Sequence, residues 1–352
     1  MSFQLEQTSR GLRRRKFYDA GEGPGVSANS YAGVQALPYV TPALKLADTL
    51  NKGFVRQIDG IQNKAVISNF SSTANIQDAN CDWADGTNVT LGERVLTLTD
   101  LAVMEALCRG TLLPTWAGMT GARETMTAGS PEFVNFAMAT IAGTCAQGVE
   151  VGIWQGIDLT ANVVGFLSDV GSLTAAGYAA SVLGTATGVN EIDVVSTGFD
   201  AAASAIVGAT GAFNAVYEGA LTNCPAVLNR TDIAYYCSPK TAGAYMLGLA
   251  ISGAHQGVNM QSTDQAFDTL QYLGIPIHVC PGMPDNALIL TYEENLVVGS
   301  NLNTDYTSAQ YIDSWAYDGS DQVKIALRFG LGMQVGVPND VVVGCFEDIF
   351  PV

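Results

Sequence analysis

An α+β fold is predicted, with a polar amino-terminal arm, an extended β-hairpin, one long helix over a long antiparallel sheet, and a central lobe. Three observations carry it. Every odd position from 323 to 337 is apolar (Val323, Ile325, Leu327, Phe329, Leu331, Met333, Val335, Val337), while the even ones include Lys324, Arg328, Gly330, Gly332 and Gln334. This is the period of a strand with one apolar face. Val134, Met138, Ile141, Cys145, Val149 and Ile153 recur at helical spacing, and two alternating segments, 64–70 and 89–98, flank a polar stretch. Residues 323–337 fully extended would reach roughly 50 Å at about 3.3 Å per residue, far beyond the usual strand. Only a helix of comparable length covers such a face.

The elements follow in order. The first forty residues are polar, carry the basic run Arg13, Arg14, Arg15 and Lys16, and turn rich in Gly, Ser and Ala. They are expected to form an arm, 1–40, without a core of its own, ordered only against a partner. Thr41 and Pro42 supply an N-cap and a first helical residue for a short helix within 41–54, with Leu44, Ala47 and Leu50 on its apolar side and Gly53 as its stop. The hairpin occupies 55–98. Its connection, 71–88, is much longer than an ordinary hairpin loop and polar except for Trp83, so it is expected to reach a neighbouring subunit with Trp83 as an anchor.

Ser130, Pro131 and Glu132 open the long helix, which runs to Trp154 and stops at Gly156. Ala137, Ala142, Ala146 and Gly148 along it permit close approach, so it is expected to lie flat against a sheet. A second helix is predicted over 199–221, with Phe199, Ala202, Ile206, Phe213 and Val216 on one side and Pro225 beyond its end. A strand over 233–237 follows, then a helix started by Ser238 and Pro239 and reaching about 251. After a shorter helical stretch come a strand over 275–280, the turn Pro281-Gly282, and a strand over 287–292 that 296–299 continue.

Apolar residues make up 48 % of the chain and charged residues 14 %, so much of it must be covered by itself or by neighbours. Sixteen basic against thirty-three acidic residues give a net charge of -17, which repels a phosphate backbone and argues against tight DNA binding. The seven cysteines include no C-x-x-C pair, and free thiols are expected. The basic run leads into glycines instead of an apolar core, so synthesis in a reducing cytoplasm is expected. The uncharged stretches 133–149 and 201–217 contain Asn, Thr and Gly and fall short of a membrane span; no membrane partner is expected.

Material for chemistry is sparse. His255 and His278 are the two histidines, and no phosphate-binding loop, nucleophile elbow or zinc-protease helix occurs. His278 and Cys280 alternate on one predicted strand, but two ligands do not make a metal site, and a satisfied strand histidine is the stronger reading. Glu293, Glu294, Asp318 and Asp321 read as solvated turns. No catalytic, cofactor-binding or metal-binding residue is predicted, and no enzymatic activity.

Several pieces are similar to the major capsid proteins of tailed phages, the Hong Kong 97-like coat-protein fold. They are the helix ending Val151-Gly152-Ile153-Trp154-Gln155-Gly156, the strand and cap 233–239, and Leu273-Gly274-Ile275-Pro276 followed by Pro281-Gly282-Met283-Pro284-Asp285-Asn286. The strand over 296–300, the turn Asp318-Gly319-Ser320-Asp321 and the strand through Gly332-Met333-Gln334-Val335-Gly336 complete the likeness. It covers nearly the whole chain and rests on the order of these pieces.

The resemblance implies a peripheral lobe (99–160 with its spine helix, and the long strands of 289–337), an axial lobe (161–288), and a carboxyl-terminal strand (338–352) returning to the axial lobe. It implies hexamers and pentamers of a closed icosahedral shell around double-stranded DNA, located in the virion and assembled in the host bacterial cytoplasm. Lys64, Trp83 and Arg94 are candidate intersubunit residues. Arg13, Arg14, Arg15 and Lys16 are candidate inner-surface residues touching packaged DNA weakly and without sequence specificity. A separate scaffolding protein, a portal and decoration proteins are the further partners implied. A bacterial nanocompartment shell of the same architecture is the alternative, separated by whether the particle holds DNA. An α/β hydrolase-like enzyme is the alternative of another class, separated by a small oligomeric state and a polar cleft.

Overall fold

The structure is a computed structural model, and it describes residues 28–32, 47–72, 89–108, 131–156, 165–167, 190–194, 196–199, 206–252, 270–285, 287–302, 308–314, 319–320 and 322–345. In chain order these contain β1 (Ala28–Ala32), α1 (Asp48–Asn51), β2 (Arg56–Ile58), β3 (Lys64–Ser72), β4 (Val89–Thr97), β5 (Thr99–Cys108), α2 (Pro131–Gln155), β6 (Asn190–Asp193), α3 (Ala212–Asn223), β7 (Ile233–Cys237), α4 (Pro239–Ser252), β8 (Gln271–Tyr272), β9 (Ile275–Val279), β10 (Ala287–Tyr292), β11 (Leu296–Ser300), β12 (Ser308–Asp313), β13 (Gln322–Val335) and β14 (Val342–Cys345). The chain is α+β, as its patterning requires.

β13 spans 14 residues and keeps the expected alternation. Val323, Ile325, Leu327, Phe329, Leu331, Met333 and Val335 are all buried, whereas Lys324 and Arg328 are exposed. It stops two residues earlier than the sequence pattern, because Pro338, with no amide hydrogen, opens the 3-10 turn Pro338–Asp340. α2 spans 25 residues and has the start and stop that Pro131 and Gly156 encode. Gly156 takes φ +82°, and the amides of Phe166 and Leu167 donate to the carbonyls of Ile153 and Trp154 at 2.8 and 2.7 Å, satisfying the last turn.

Two compact units divide the chain. The first gathers the described residues within Met1–Leu44, Asp100–Ala146 and Asn301–Gly330. There β12 pairs antiparallel with β1 on one side (Tyr31↔Ala309) and with β13 on the other (Tyr311↔Ile325). Gly330 donates its amide to Asn301 Oδ1 at 2.6 Å, and a Cβ there would stand 2.9 Å from Asn301 Nδ2, so the glycine admits the asparagine against the strand.

The second unit gathers Lys45–Thr99, Gln147–Ser300 and Leu331–Val352. Its mixed sheet runs β6-β14-β10-β7-β9-β8, with β10 antiparallel to β7 and β14, and β7 parallel to β9. Every residue of β7 and β10 is buried. α3 closes over this sheet, placing Phe213, Val216 and Ala220 among Tyr235, Leu288, Leu290 and Val342. Gly219 and Gly344 allow that approach, since a Cβ on either would lie 2.5 or 2.4 Å from Ile192 Cδ1 or Val216 Cγ2. Ser238 caps α4 as its position predicts, accepting the Thr241 amide at 3.2 Å.

Four expectations differ from the fold. The second helix begins at Ala212 and not at 199. Ser196–Phe199 is a separate 3-10 turn, and Gly208 and Gly211 sit in the turn before α3, where their backbone freedom opposes helix propagation. Residues 28–32 of the arm order within the chain itself, adding a strand to β12, because an open strand edge offers unpaired amides and carbonyls. β11 does not continue β10. The 3-10 turn Glu293–Asn295 moves the chain to another sheet, where β11 pairs antiparallel with β13 and parallel with β2. β9 ends at Val279, and Cys280 instead begins the turn toward Pro281. Trp83, the run Arg13 to Lys16, the Thr41-Pro42 cap and the helical stretch before β8 lie outside the described residues.

Candidate assembly surface

The β3–β4 hairpin leaves a stripe of apolar surface uncovered. β3 and β4 pair antiparallel over nine residues each, in a register that sets Lys64 opposite Thr97, Val66 opposite Val95, Ile67 opposite Arg94 and Phe70 opposite Leu91. Alternation assigns the residues to two faces. One face carries Ala65, Ile67, Arg94 and Leu96. Leu96 is completely buried with Ile61 and Val297, and Ile58, Ala65, Ile67 and Leu98 surround them.

The base of the hairpin is seated by glycine. Gly299 and Gly332 are cross-strand partners in β11 and β13. A Cβ on the first would stand 2.5 Å from Leu96 Cδ2, and one on the second 2.3 Å from the Thr97 carbonyl oxygen. Gln334 Nε2 adds a hydrogen bond to the Val95 carbonyl at 3.1 Å. Gly299 of β11 and Gly332 of β13 are therefore the floor on which the hairpin rests.

The other face is free of such cover. Val66 and Val95, paired directly, are 58 % and 47 % exposed, and Leu91 is 59 % exposed. Glu93, Ser68, Lys64 and Thr97 are exposed around them. This is an apolar stripe on a two-stranded ribbon, an arrangement marginal in water unless something packs on it. Of the three predicted intersubunit residues, Lys64 lies on this open face, while Arg94 lies on the covered one, half-buried, its guanidinium pKa lowered by desolvation. The structure thus separates these two, and Trp83 falls in the hairpin connection outside the described residues.

A buried polar node fixes α1, the end of α2 and the 281–284 turn to one another. Glu150 is 5 % exposed. Its carboxylate accepts the Thr49 amide at 3.0 Å and the Thr49 hydroxyl, and that hydroxyl accepts the Trp154 indole N–H at 3.0 Å. Gln155 Nε2 donates to the Gly282 carbonyl at 2.8 Å, and a Cβ on Gly282 would stand 2.1 Å from the Glu150 carbonyl oxygen. Trp154 itself packs against Phe166 and Tyr236 at ring separations of 5.6 and 5.7 Å. Nothing in the sequence linked Thr49 to Glu150, since neither sits in a motif; the signal was only a carboxylate inside an apolar helical run.

Of the residues weighed for chemistry, His278, Cys280 and Glu293 are structurally engaged, and His255, Asp318 and Asp321 lie outside the described residues. His278 stacks on Phe54 at 3.9 Å and shares a hydrogen bond with Glu293 at 3.1 Å. Burial pushes the Cys280 thiol well above its ordinary range and the Cys237 thiol to about 12, which keeps both protonated and poorly nucleophilic. Among the described residues no group of three His, Cys, Asp or Glu is placed to hold a metal ion, and no helix is long and apolar enough to cross a membrane.

No protein-family model and no curated protein matches the chain. Solved structures do. The capsid of the empty GTA particle is similar at 14 % identity with a TM-score of 0.52, over 85 % of this chain and 89 % of that one. The capsid of the native GTA particle gives 14 % and 0.51, over 87 % and 90 %. A chain of Gordonia phage Cozz gives 14 % and 0.49, over 85 % and 86 %. The two GTA comparisons establish the fold: this chain has a capsid-like fold.

Proposed function

We propose that the chain is the major capsid protein of a tailed phage, assembling with itself into the hexamers and pentamers of an icosahedral shell around double-stranded DNA. The observation that carries this reading is the likeness to the GTA capsid over nearly the full length of both chains. The uncovered Val66, Val95 and Leu91 stripe supports it, because a ribbon with that surface is suited to lie on a neighbouring subunit.

In this reading α2 is the spine of a peripheral lobe, and 161–288 form the axial lobe around capsomer centres. The hairpin lies over the adjacent subunit, with Lys64 on the contacting face, Trp83 at its far end, and Arg94 bracing the ribbon from behind. Arg13, Arg14, Arg15 and Lys16 face the packaged DNA, while the net charge of -17 keeps the wall from gripping it. A separate scaffolding protein, a portal and decoration proteins are the proposed partners, the host bacterial cytoplasm is the proposed place of assembly, and the role is structural, not enzymatic.

The test is light scattering on the purified full-length chain and on Val66→Asp/Val95→Asp. Expected are large particles from the wild type, and folded, small species from the double variant. A wild type that stays monomeric at high concentration contradicts the proposal, as does a double variant that assembles normally.

A further inference from the structure

We propose that the β8–β9 turn is a self-association knob, with Leu273 of one copy seating on an apolar stripe of α4, Leu247 and Ile251, of a second copy. The proposal rests on the shell reading above and names one contact within it.

The turn is strained to no internal purpose. β8 and β9 pair antiparallel, Tyr272 opposite Ile275, so Leu273 and Gly274 are the two central residues of a tight hairpin turn. Both take positive φ, +49° and +84°. Such turns call for Asn, Asp or Gly at the first position, and Leu273 is the only non-glycine residue with positive φ among the described residues. A leucine in that conformation is opposed by its own Cβ. Its side chain is 64 % exposed, so burial does not compensate the strain within the chain. An outlier of this kind points to a role outside the fold.

The knob has a rigid base. Tyr245 donates its hydroxyl to the Gln271 carbonyl at 3.1 Å, and Tyr272 packs on Phe213 and Tyr235 at 5.4 and 5.9 Å. On α4, Tyr245 and Leu249 are buried, whereas Leu247 and Ile251, one turn apart, are 54 % and 56 % exposed.

The absence of charge on both patches suits contact with another copy, the partner that the shell reading calls for. Each chain carries -17, so two copies repel except where both are uncharged. Residues 241–252 contain no acidic or basic residue, and 270–279 contain only His278, which is held by Phe54 and Glu293. Glu218, whose charge acts on Tyr272, is the carboxylate beside the turn. A knob on one surface meeting a stripe on another is a heterologous contact, the kind that closes rings.

The experiment measures the concentration dependence of assembly by light scattering, with melting temperatures, for full-length wild type, Leu273→Asn, Leu247→Ser/Ile251→Ser, and all three changes combined. Leu273→Asn is expected to melt at or above the wild type, because the strain is relieved, yet to need about tenfold more protein to assemble. The α4 variant is expected to lose as much, and the combination no more than either alone. Leu273→Gly repeats the test with a residue that fits the turn by conformation alone. Assembly of Leu273→Asn at wild-type concentrations, a lower melting temperature for it, or additive losses in the combination would each overturn the contact. A wild type that never assembles overturns both the contact and the shell reading; an assembling wild type with unaffected variants overturns the contact alone.

Discussion

Asn295 grips Val337 from both sides: its Oδ1 accepts the Val337 amide at 2.7 Å, and its Nδ2 donates to the Val337 carbonyl at 3.0 Å. The same Nδ2 also reaches Thr291 Oγ1 at 3.0 Å, and Thr291 donates to the Asp340 carbonyl at 3.1 Å. One buried side chain therefore joins the two places where the chain passes between its sheets, after β10 and after β13.

Replacing that side chain tests the junction. Asn295→Ala leaves the Val337 amide without its acceptor in a partly buried setting and is expected to cost about 1–3 kcal/mol. Urea denaturation measures it. A change within error would show that the two crossings do not depend on each other.

Thr49→Val keeps the shape of the residue but removes the hydroxyl that serves Glu150 and Trp154 together. An under-solvated buried carboxylate makes the expected loss about 3 kcal/mol, with Thr49→Ser recovering most of it. Thermal melting of the pair checks the difference, and equal loss in both variants would point to packing instead of hydrogen bonding.

Gly332→Ala places a methyl group against the Thr97 carbonyl, which is backbone and has no rotamer to yield. The expected cost is about 1–3 kcal/mol. Hydrogen exchange should show the loss concentrated at the base of the β3–β4 hairpin, with the β7 and β10 amides still protected.

The Arg230 guanidinium holds the Asp232 carboxyl below the usual carboxylate range, chiefly through their hydrogen bonds at 2.7 and 2.8 Å. A pKa lower in the folded than in the unfolded chain means stabilisation that is complete above the unfolded value, about 3.9, and lost as pH falls through the folded one. Asp232→Asn should thus melt below the wild type at neutral pH and converge with it at strongly acid pH. Side-chain exposures of 40 % and 33 % keep the effect small and salt-sensitive.

Sequence reasoning succeeded where one local period decided the outcome. The odd positions of β13, the Pro131 and Gly156 ends of α2, and the Ser238 cap of α4 each follow from residues within a few positions of one another. It failed where the deciding partner was distant. Phe199 and Ile206 fit a helical face equally well as isolated 3-10 turns, so their spacing did not reveal that α3 starts at Ala212. Alternation marks β10 and β11 as strands but says nothing about which sheet each joins. The Thr49 and Glu150 pair spans 101 residues, and the seat made by Gly299 and Gly332 exists only once β11 and β13 are in register. On the candidate surface, the exposure of Val66, Val95 and Leu91 depends on which face the glycine floor covers, a choice that the hairpin pattern alone leaves open.

Electron cryomicroscopy of particles formed by the full-length chain tests the central claim most directly. The account expects closed shells with fivefold and sixfold rings of this subunit, each hairpin lying over an adjacent copy through the Val66 and Val95 face. A small oligomer of fixed size, or shells in which that face is turned to solvent, would contradict it.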